Sequence, residues 1–458
     1  MPSGMFDDTI AAISTPLGEG GIGIVRVSGP DAIPIVDGLF VPRNARTPLA
    51  RVATHTLHVG HVVDDDRRVV DEVLVSLMRA PHSYTREDVV EINCHGGIVP
   101  TRTVLQLVLA SGARLAERGE FTKRAFLNGR ISLDQAQAVV DIIRAKTELG
   151  LEAAVDRLGG RFSTQIAEIR EALFETLAQL EAEIDFPDLD VDIAPVREQC
   201  EALGARTDDL LSRGEQGRCL RDGMTVAIVG RPNVGKSTLL NALLAEERAI
   251  VTPVPGTTRD TVEEEAAIRG VPVRLIDTAG LREPNDPVEA EGVRRTQRAV
   301  DRSDLVLLAV DRSEPLTAED RTLLARAWAV PAILVIGKAD LPDRMGAVPP
   351  GAWKAAVEVS AKTGLHLDAL RDRVLDLLLG GEIPSRASVL MLDSWERDLL
   401  RRLRERMEAV LEVIDARASA DIVVEELRIA AGIAGELLGI DISESILDQI
   451  FARFCVGK

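Results

Sequence analysis

The segment Gly230-Arg231-Pro232-Asn233-Val234-Gly235-Lys236-Ser237 follows directly on the apolar run Thr225–Val229. Few patterns constrain a fold more, because a buried strand must here deliver a glycine-rich turn into the start of a helix. The glycines let backbone N–H groups close around the α/β-phosphates of a nucleotide, and Lys236 reaches the β/γ-phosphates. The Ser237 hydroxyl is placed to ligate Mg²⁺, and Val234 and Thr238 complete the cradle. Taken alone the loop could be a chance strand-to-helix turn. The motifs that follow it argue for a nucleoside triphosphate in an α/β domain.

Val271–Ile276 reads as a second buried strand with Asp277-Thr278-Ala279-Gly280 at its end. A carboxylate there can hold the Mg²⁺ shell, and the glycine N–H can sense a γ-phosphate. A third strand, Ala332–Ile336, leads to Gly337-Lys338-Ala339-Asp340, and Ser360-Ala361-Lys362 follows Val357–Val359. This spacing resembles that of guanine-nucleotide-binding domains. Asp340 can accept hydrogen bonds from the guanine N1–H and 2-amino group, which adenine does not offer, while the Lys338 stem packs along the base. GTP is therefore expected rather than ATP. Gly337 stands where such domains usually carry Asn, a substitution expected to weaken binding more than it changes base choice.

The stretch Thr252–Asp260, punctuated by Pro and Gly, reads as a mobile segment, and Thr258 is the candidate second hydroxyl on Mg²⁺. Leu281 occupies the position where many GTPases place a water-orienting Gln, so the acid must come from elsewhere, and the loop Arg282–Glu289 offers several. Asn233 can supply a carbonyl to a monovalent cation that places positive charge between the phosphates, or it can simply brace the loop.

Outside these motifs the chain resembles one family end to end. Near the start, Asp8–Pro16 leads to Gly20–Gly29; then come Ser83-Tyr84-Thr85 with Glu87-Asp88, His95-Gly96-Gly97, and Gly119–Gly129; the chain closes on Phe454-Cys455-Val456-Gly457-Lys458. In these it resembles the MnmE, or TrmE, family of bacterial tRNA-modification GTPases. The resemblance implies a homodimer that works with an FAD-containing MnmG-type partner in a heterotetramer or larger complex. Together they would add an aminomethyl or carboxymethylaminomethyl group to C5 of the wobble uridine of certain tRNAs. The one-carbon unit would come from 5-formyltetrahydrofolate or another tetrahydrofolate derivative. Matched to the family's motifs, the folate contacts fall on Arg26, Glu87, Arg130 and Lys458. The K⁺ ligands fall on Asn233, Thr252, Val254 and Thr257, the Mg²⁺ ligands on Ser237 and Thr258, and the water-positioning glutamate on Glu289. Cys455 becomes a candidate for the modification chemistry. Two departures stand out: Arg130 where the family often has Lys, and Arg86 where a Gly usually precedes Glu87-Asp88.

For the residues by themselves, blander readings compete. Arg26 could be a strand residue paired with a surface carboxylate, His95 is more readily structural than catalytic, and Cys455 reads by default as packing. Four scattered cysteines without C-x-x-C spacing suggest neither a zinc site nor a disulfide framework. Lys458 can serve a site only if the preceding helix docks, for which Ile446, Ile450, Phe451 and Phe454 supply apolar spacing.

The 458 residues imply about three domains. Residues 1–118 alternate strand-like runs with shorter helical ones, an α+β folate-binding and dimerisation domain by the resemblance. Residues 119–215 and 385–458 read as helical, and the resemblance implies that they pack into one discontinuous all-α domain with 216–384 as an inserted α/β P-loop GTPase domain. Tethered at both ends, the insert would transmit nucleotide-driven motion into the helices carrying Cys455 and Lys458. No apolar stretch is long enough to span a bilayer and the start lacks a leader pattern, so a cytoplasmic protein is expected, with no membrane partner. With 54 Lys+Arg against 73 Asp+Glu, the net charge of −19 argues against nonspecific adhesion to nucleic acid. It does not exclude tRNA, although 3% aromatic content leaves few stacking platforms. The arginines 397, 401, 402, 404 and 406, at helical spacing among glutamates, read as a solvated face more readily than as phosphate contacts. An RNA-binding GTPase of ribosome assembly would be expected to carry a basic module, and a non-catalytic GTP switch would have no use for Glu289.

Overall fold

In the computed structural model the described residues are 7–43, 47–185, 194–244, 263–277, 300–379, 389–440 and 442–458. They form two compact units. The first comprises Met1–Val140, Ser163–Arg170 and Ala434–Lys458, the second Asp141–Phe162 and Glu171–Ile433.

The first unit is built on a sheet of seven strands: β1 (Ile10–Ile13), β2 (Gly20–Ser28), β3 (Phe40–Pro42), β4 (Thr56–Val63), β5 (Val69–Met78), β6 (Val89–Gly96) and β7 (Arg114–Leu115). Their spatial order is β3-β4-β5-β6-β2-β1-β7, antiparallel except for the parallel pair β1–β7. Alternation decides the faces. Val25 and Val27, Val73, Val75 and Leu77, and Val90 and Ile92 point to a core shared with the helices Ala32–Leu39 and Ile98–Ala110. Arg26 points to the opposite face, registered against Glu91, which in turn lies opposite Ser76. That face also carries Val41, Leu57, Val59 and Leu74, all substantially exposed.

The end of the chain belongs to this unit. The helix Glu444–Phe451 buries Leu447, Ile450 and Phe451, and Phe454 beyond it is buried too, as the apolar spacing required, with Ile446 half-buried. The final residues add backbone pairing: Val456 bridges Arg118, and the Gly119 N–H donates to the Cys455 carbonyl at 3.3 Å. Gly457, at φ +88°, is required by close approach as well, because a Cβ there would lie 2.3 Å from the Ile13 carbonyl oxygen.

The second unit carries a six-stranded sheet of β8 (Met224–Val229), β9 (Glu263–Ile268), β10 (Val271–Asp277), β11 (Leu305–Asp311), β12 (Ala332–Gly337) and β13 (Ala355–Glu358). Its order is β13-β12-β11-β8-β10-β9, parallel except for β9. Strands covered on both faces read as continuous apolar runs, which is why β8, β10 and β12 were legible in sequence, while β9 and β11 were not read as strands there. The chain leaves β8 toward β10 on one side and β11 on the other, so the crevice for a ligand opens at the carboxyl end of β8.

The helix Ala194–Asp222 runs unbroken past the expected domain boundary at residue 215, and only Gly223, at φ +75°, separates it from β8. Val389–Leu392 packs on this helix where glycines admit it: a Cβ on Gly217 would sit 1.9 Å from the Leu390 carbonyl oxygen. Next to it lies a buried ion cluster in which Arg157 pairs with Asp141 and Glu396, and Arg221 with Asp141. Burial pushes the Glu396 carboxyl up to about 7, against the pull of Arg157. Ala153, Ala154, Cys219, Val389 and Met391 belong to the same apolar core as the inner face of the six-stranded sheet. Among the described residues no helix is long and apolar enough to cross a membrane.

Candidate functional site

The phosphate loop joins β8 to the helix Lys236–Leu244 as its sequence requires. Gly235 stands at φ +100° and Asn233 at φ +64°, the left-handed region that Gly takes freely and Asn more readily than most residues. A Cβ on Gly230 would come within 2.4 Å of the Ala309 carbonyl oxygen, so this glycine lets the loop press against the end of β11. The Lys236 ammonium donates to the carbonyls of Gly230 and Arg231 at 2.7 and 2.8 Å, which aims it across the mouth of the loop. Ser237 and Thr238 stand exposed in the first turn of the helix, where a hydroxyl fits a Mg²⁺ ion held by phosphates. Arg231 ties the loop outward to Glu314 and to the buried Asp320.

Beside the loop opens a cavity lined by Val234, Gly235, Thr238, Leu239, Lys338, Asp340, Ser360, Ala361 and Lys362 among others. The structure thus brings the predicted base-recognition residues together with the phosphate loop. Asp340 takes a hydrogen bond from the Ser360 hydroxyl at 2.6 Å, which with neighbouring Lys362 and Lys338 holds its carboxyl below the usual range. It is an ionised acceptor facing the cavity, as guanine recognition needs. Lys338 sits at φ +58°, and its ammonium donates to the buried Asp311 at 2.6 Å. Asp277 ends β10, while its side chain and Thr252, Val254, Thr257, Thr258, Thr278, Ala279, Gly280 and Glu289 lie outside what is described.

A second constellation stands on the outer face of the first unit's sheet. Arg26 donates to Glu91 at 2.8 Å, a partner more buried than the surface carboxylate expected of it, and it also donates to the Gly457 carbonyl at 3.2 Å. Its guanidinium lies 5.5 Å from the Tyr84 ring centre and 5.6 Å from that of Phe121, and Arg130 stacks on Tyr84 at 4.8 Å. Lys458 stands half-buried nearby; burial first, and the Arg26 charge second, lower its pKa. Two guanidiniums over one tyrosine, with the Lys458 ammonium beside Arg26, suit an aromatic ligand bearing carboxylates. Glu87 adds an acceptor: its carboxylate takes hydrogen bonds from Ser28 at 2.7 Å and from the fully buried Arg124 at 3.2 Å, and burial raises its pKa. Cys455 is the one exposed cysteine of the four and stands three positions before Lys458.

The two departures find their reasons here. Arg86 stands at φ +61°, the left-handed conformation a Gly supplies without cost, and its guanidinium donates to the Asn128 carbonyl at 2.9 Å. Asn128 returns a bond to the Thr85 carbonyl at 2.7 Å, so the loop is fixed beside Arg130. Arg130 presents a planar face that a lysine lacks, which suits stacking on Tyr84.

The solvated-face reading of the arginine row is corrected at one position: Arg397 is buried and donates to the Leu392 carbonyl at 2.9 Å. Arg401, Arg404 and Arg406 are held by Glu215, Asp208 and Glu426. His95 pairs with Asp71 at 2.6 Å. Sequence reasoning gave no role to Tyr84, Phe121, Glu91 or Asp311. Tyr84 is the only tyrosine of the chain, a signal that could have been used.

Comparison with known proteins gives the family of the chain. Residues 133–455 match the family described as the MnmE helical domain, and residues 9–130 that described as the GTP-binding protein TrmE N-terminus. The tRNA modification GTPase MnmE of Geobacillus kaustophilus is 49% identical over 98% of this chain and 99% of its own length. That of Chloroflexus aurantiacus is 48% identical over 99% of this chain and 100% of its own.

Proposed function

Because the chain belongs to the MnmE family of tRNA modification GTPases, and so hydrolyses GTP, we propose that hydrolysis drives modification of the wobble uridine. The enzyme works as a homodimer with an FAD-containing MnmG-type partner. It adds an aminomethyl or carboxymethylaminomethyl group to C5 of that uridine, using a tetrahydrofolate one-carbon unit. The observation that supports the folate reading is the docked C-terminus, which sets Lys458 beside Arg26, itself over the Tyr84 ring on which Arg130 also stacks. Folate offers aromatic rings to Tyr84 and carboxylates to the cations, and its pterin amino and ring N–H groups suit the Glu87 carboxylate. Cys455 is exposed at the same place for the modification chemistry. The uncovered apolar stripe of Val41, Leu57, Val59 and Leu74, continuous with that sheet face, supports the homodimer.

In the GTPase site Lys236 neutralises the β/γ-phosphates, Asp340 reads the base, and Ser237 with Thr258 holds Mg²⁺, which supplies charge neutralisation at the phosphates when bound. Asn233, Thr252, Val254 and Thr257 hold K⁺, whose charge takes the part of an arginine finger. The left-handed backbone of Asn233 turns this residue out of the loop and leaves it exposed, a fit for that ion. Glu289 orients the attacking water when two GTPase domains meet, which accounts for Leu281.

The test is GTP hydrolysis in KCl against NaCl at equal ionic strength, with gel filtration in GDP–aluminium fluoride. Strong K⁺ stimulation with tighter association is expected, and Glu289→Ala should lower turnover by about a hundredfold or more while sparing GTP binding. Equal rates in both salts would remove Asn233 as a cation ligand.

A further inference from the structure

We propose that Asp311 is a positioning residue for guanine recognition, holding Lys338 and with it the loop that presents Asp340. The inference rests on the reading of Asp340 as the acceptor of the base. Gly337 lies against the phosphate loop, since a Cβ there would be 3.3 Å from the Val310 carbonyl oxygen and 3.6 Å from that of Val234. It therefore stands where a polar side chain could tie the base-reading loop to the phosphate loop, and it has none. Asp311 provides the tie from the other side. It is 3% exposed, accepts the Lys338 ammonium at 2.6 Å through one oxygen, and accepts the Ser313 N–H and hydroxyl at 2.8 and 2.7 Å through the other. Three hydrogen bonds, at least one on each oxygen, thus fix the carboxylate.

What it fixes is a lysine whose backbone is in the left-handed region, a conformation costing about 1 kcal/mol that persists only when its surroundings enforce it. The Leu341 N–H closes back on the Lys338 carbonyl at 2.9 Å, and the turn so formed carries Asp340 to Ser360. Asp311 also ends the strand whose Ala309 abuts Gly230, so one strand end aligns both the base reader and the phosphate loop.

The experiment measures affinities of GDP and IDP for the full-length protein by competition with a fluorescent GDP. Inosine lacks the 2-amino group, so the GDP/IDP ratio reports how well Asp340 is aimed. Asp311→Asn is expected to weaken GDP binding about tenfold and to shrink the GDP/IDP ratio. Gly337→Asn, which supplies the missing tie, should restore both in the double variant. If Asp311→Asn leaves the ratio unchanged, whether or not both affinities fall together, Asp311 is merely structural and the proposal is overturned. Should Asp311→Asn fail to fold, Lys338→Met removes the same tie and is read by the same ratio. Asp340→Asn serves as the separate control, because its amide would donate to the second carbonyl of xanthine. If that variant does not turn toward XDP, the reading of Asp340 fails, an outcome distinct from the failure of Asp311.

Discussion

A terminal lysine is ordinarily a frayed, solvated charge, and Lys458 departs from this because the three residues before it are held by backbone pairing and close approach. The Ser14 hydroxyl donates to the Gly457 carbonyl at 3.0 Å, and Arg26 donates to the same oxygen, so the ammonium is set down beside another cation. Burial and that neighbour lower its pKa from 10.5. In the alkaline interval just below 10.5 the unfolded chain then binds more protons than the folded one, and stability rises with pH across it. Lys458→Met should flatten this rise in urea midpoints. It should also weaken 5-formyltetrahydrofolate binding about tenfold by titration calorimetry, since one charge-assisted contact is lost. Unchanged affinity would take Lys458 out of the folate site.

At the scale of elements, the junction between Ala194–Asp222 and Val389–Leu392 turns on glycine for a packing reason. Within an ordinary helix, replacing Gly by Ala gains about 1 kcal/mol. At Gly217 the new methyl would meet a backbone carbonyl at 1.9 Å, which cannot turn aside as a side chain can. Overpacking of about 1–3 kcal/mol therefore outweighs the propensity gain. Gly217→Ala is expected to lower the urea midpoint. Gly214→Ala should be nearly neutral, because its methyl would meet the tip of Leu392 at 2.6 Å, and that side chain can shift rotamer. Equal effects at the two positions would show that the contact with Leu390 is not close in solution.

In the molecule as a whole, the second unit joins its helices to its nucleotide sheet through a common core, and the Arg157 ion cluster ties those helices to one another. Since only Gly223 separates β8 from the helix Ala194–Asp222, a change at the phosphate loop has a short covalent path into that helix. We expect GDP–aluminium fluoride in KCl to alter amide hydrogen exchange in that helix and in residues 389–396. Exchange identical to the nucleotide-free protein would sever the GTPase from the helices as a transmitter.

How much of this was legible in advance follows from the range of the interactions. The phosphate loop and the strands Met224–Val229, Val271–Asp277 and Ala332–Gly337 were placed within a residue, because apolar runs and glycine turns are local signals. Glu263–Ile268 and Leu305–Asp311, by contrast, were not read as strands, and Ala355–Glu358 begins two residues before its expected start. The motifs of the nucleotide site carried their chemistry in their spacing, and the departures at Gly337 and Arg86 were visible as letters. What those letters mean was decided by tertiary structure. Arg86 keeps a glycine-like backbone because Asn128, far along the chain, accepts its guanidinium. Arg397 is buried although its helical spacing among acids suggested solvent. Lys458 reaches Arg26 only because Val456 pairs with Arg118 and Gly457 abuts Ile13, more than 300 positions away. Sequence by itself determined the elements, the nucleotide chemistry and the family, all written in neighbouring residues. Only the fold decided which distant side chains share a site, since hydrogen bonds and packing act over a few ångströms whatever the separation along the chain.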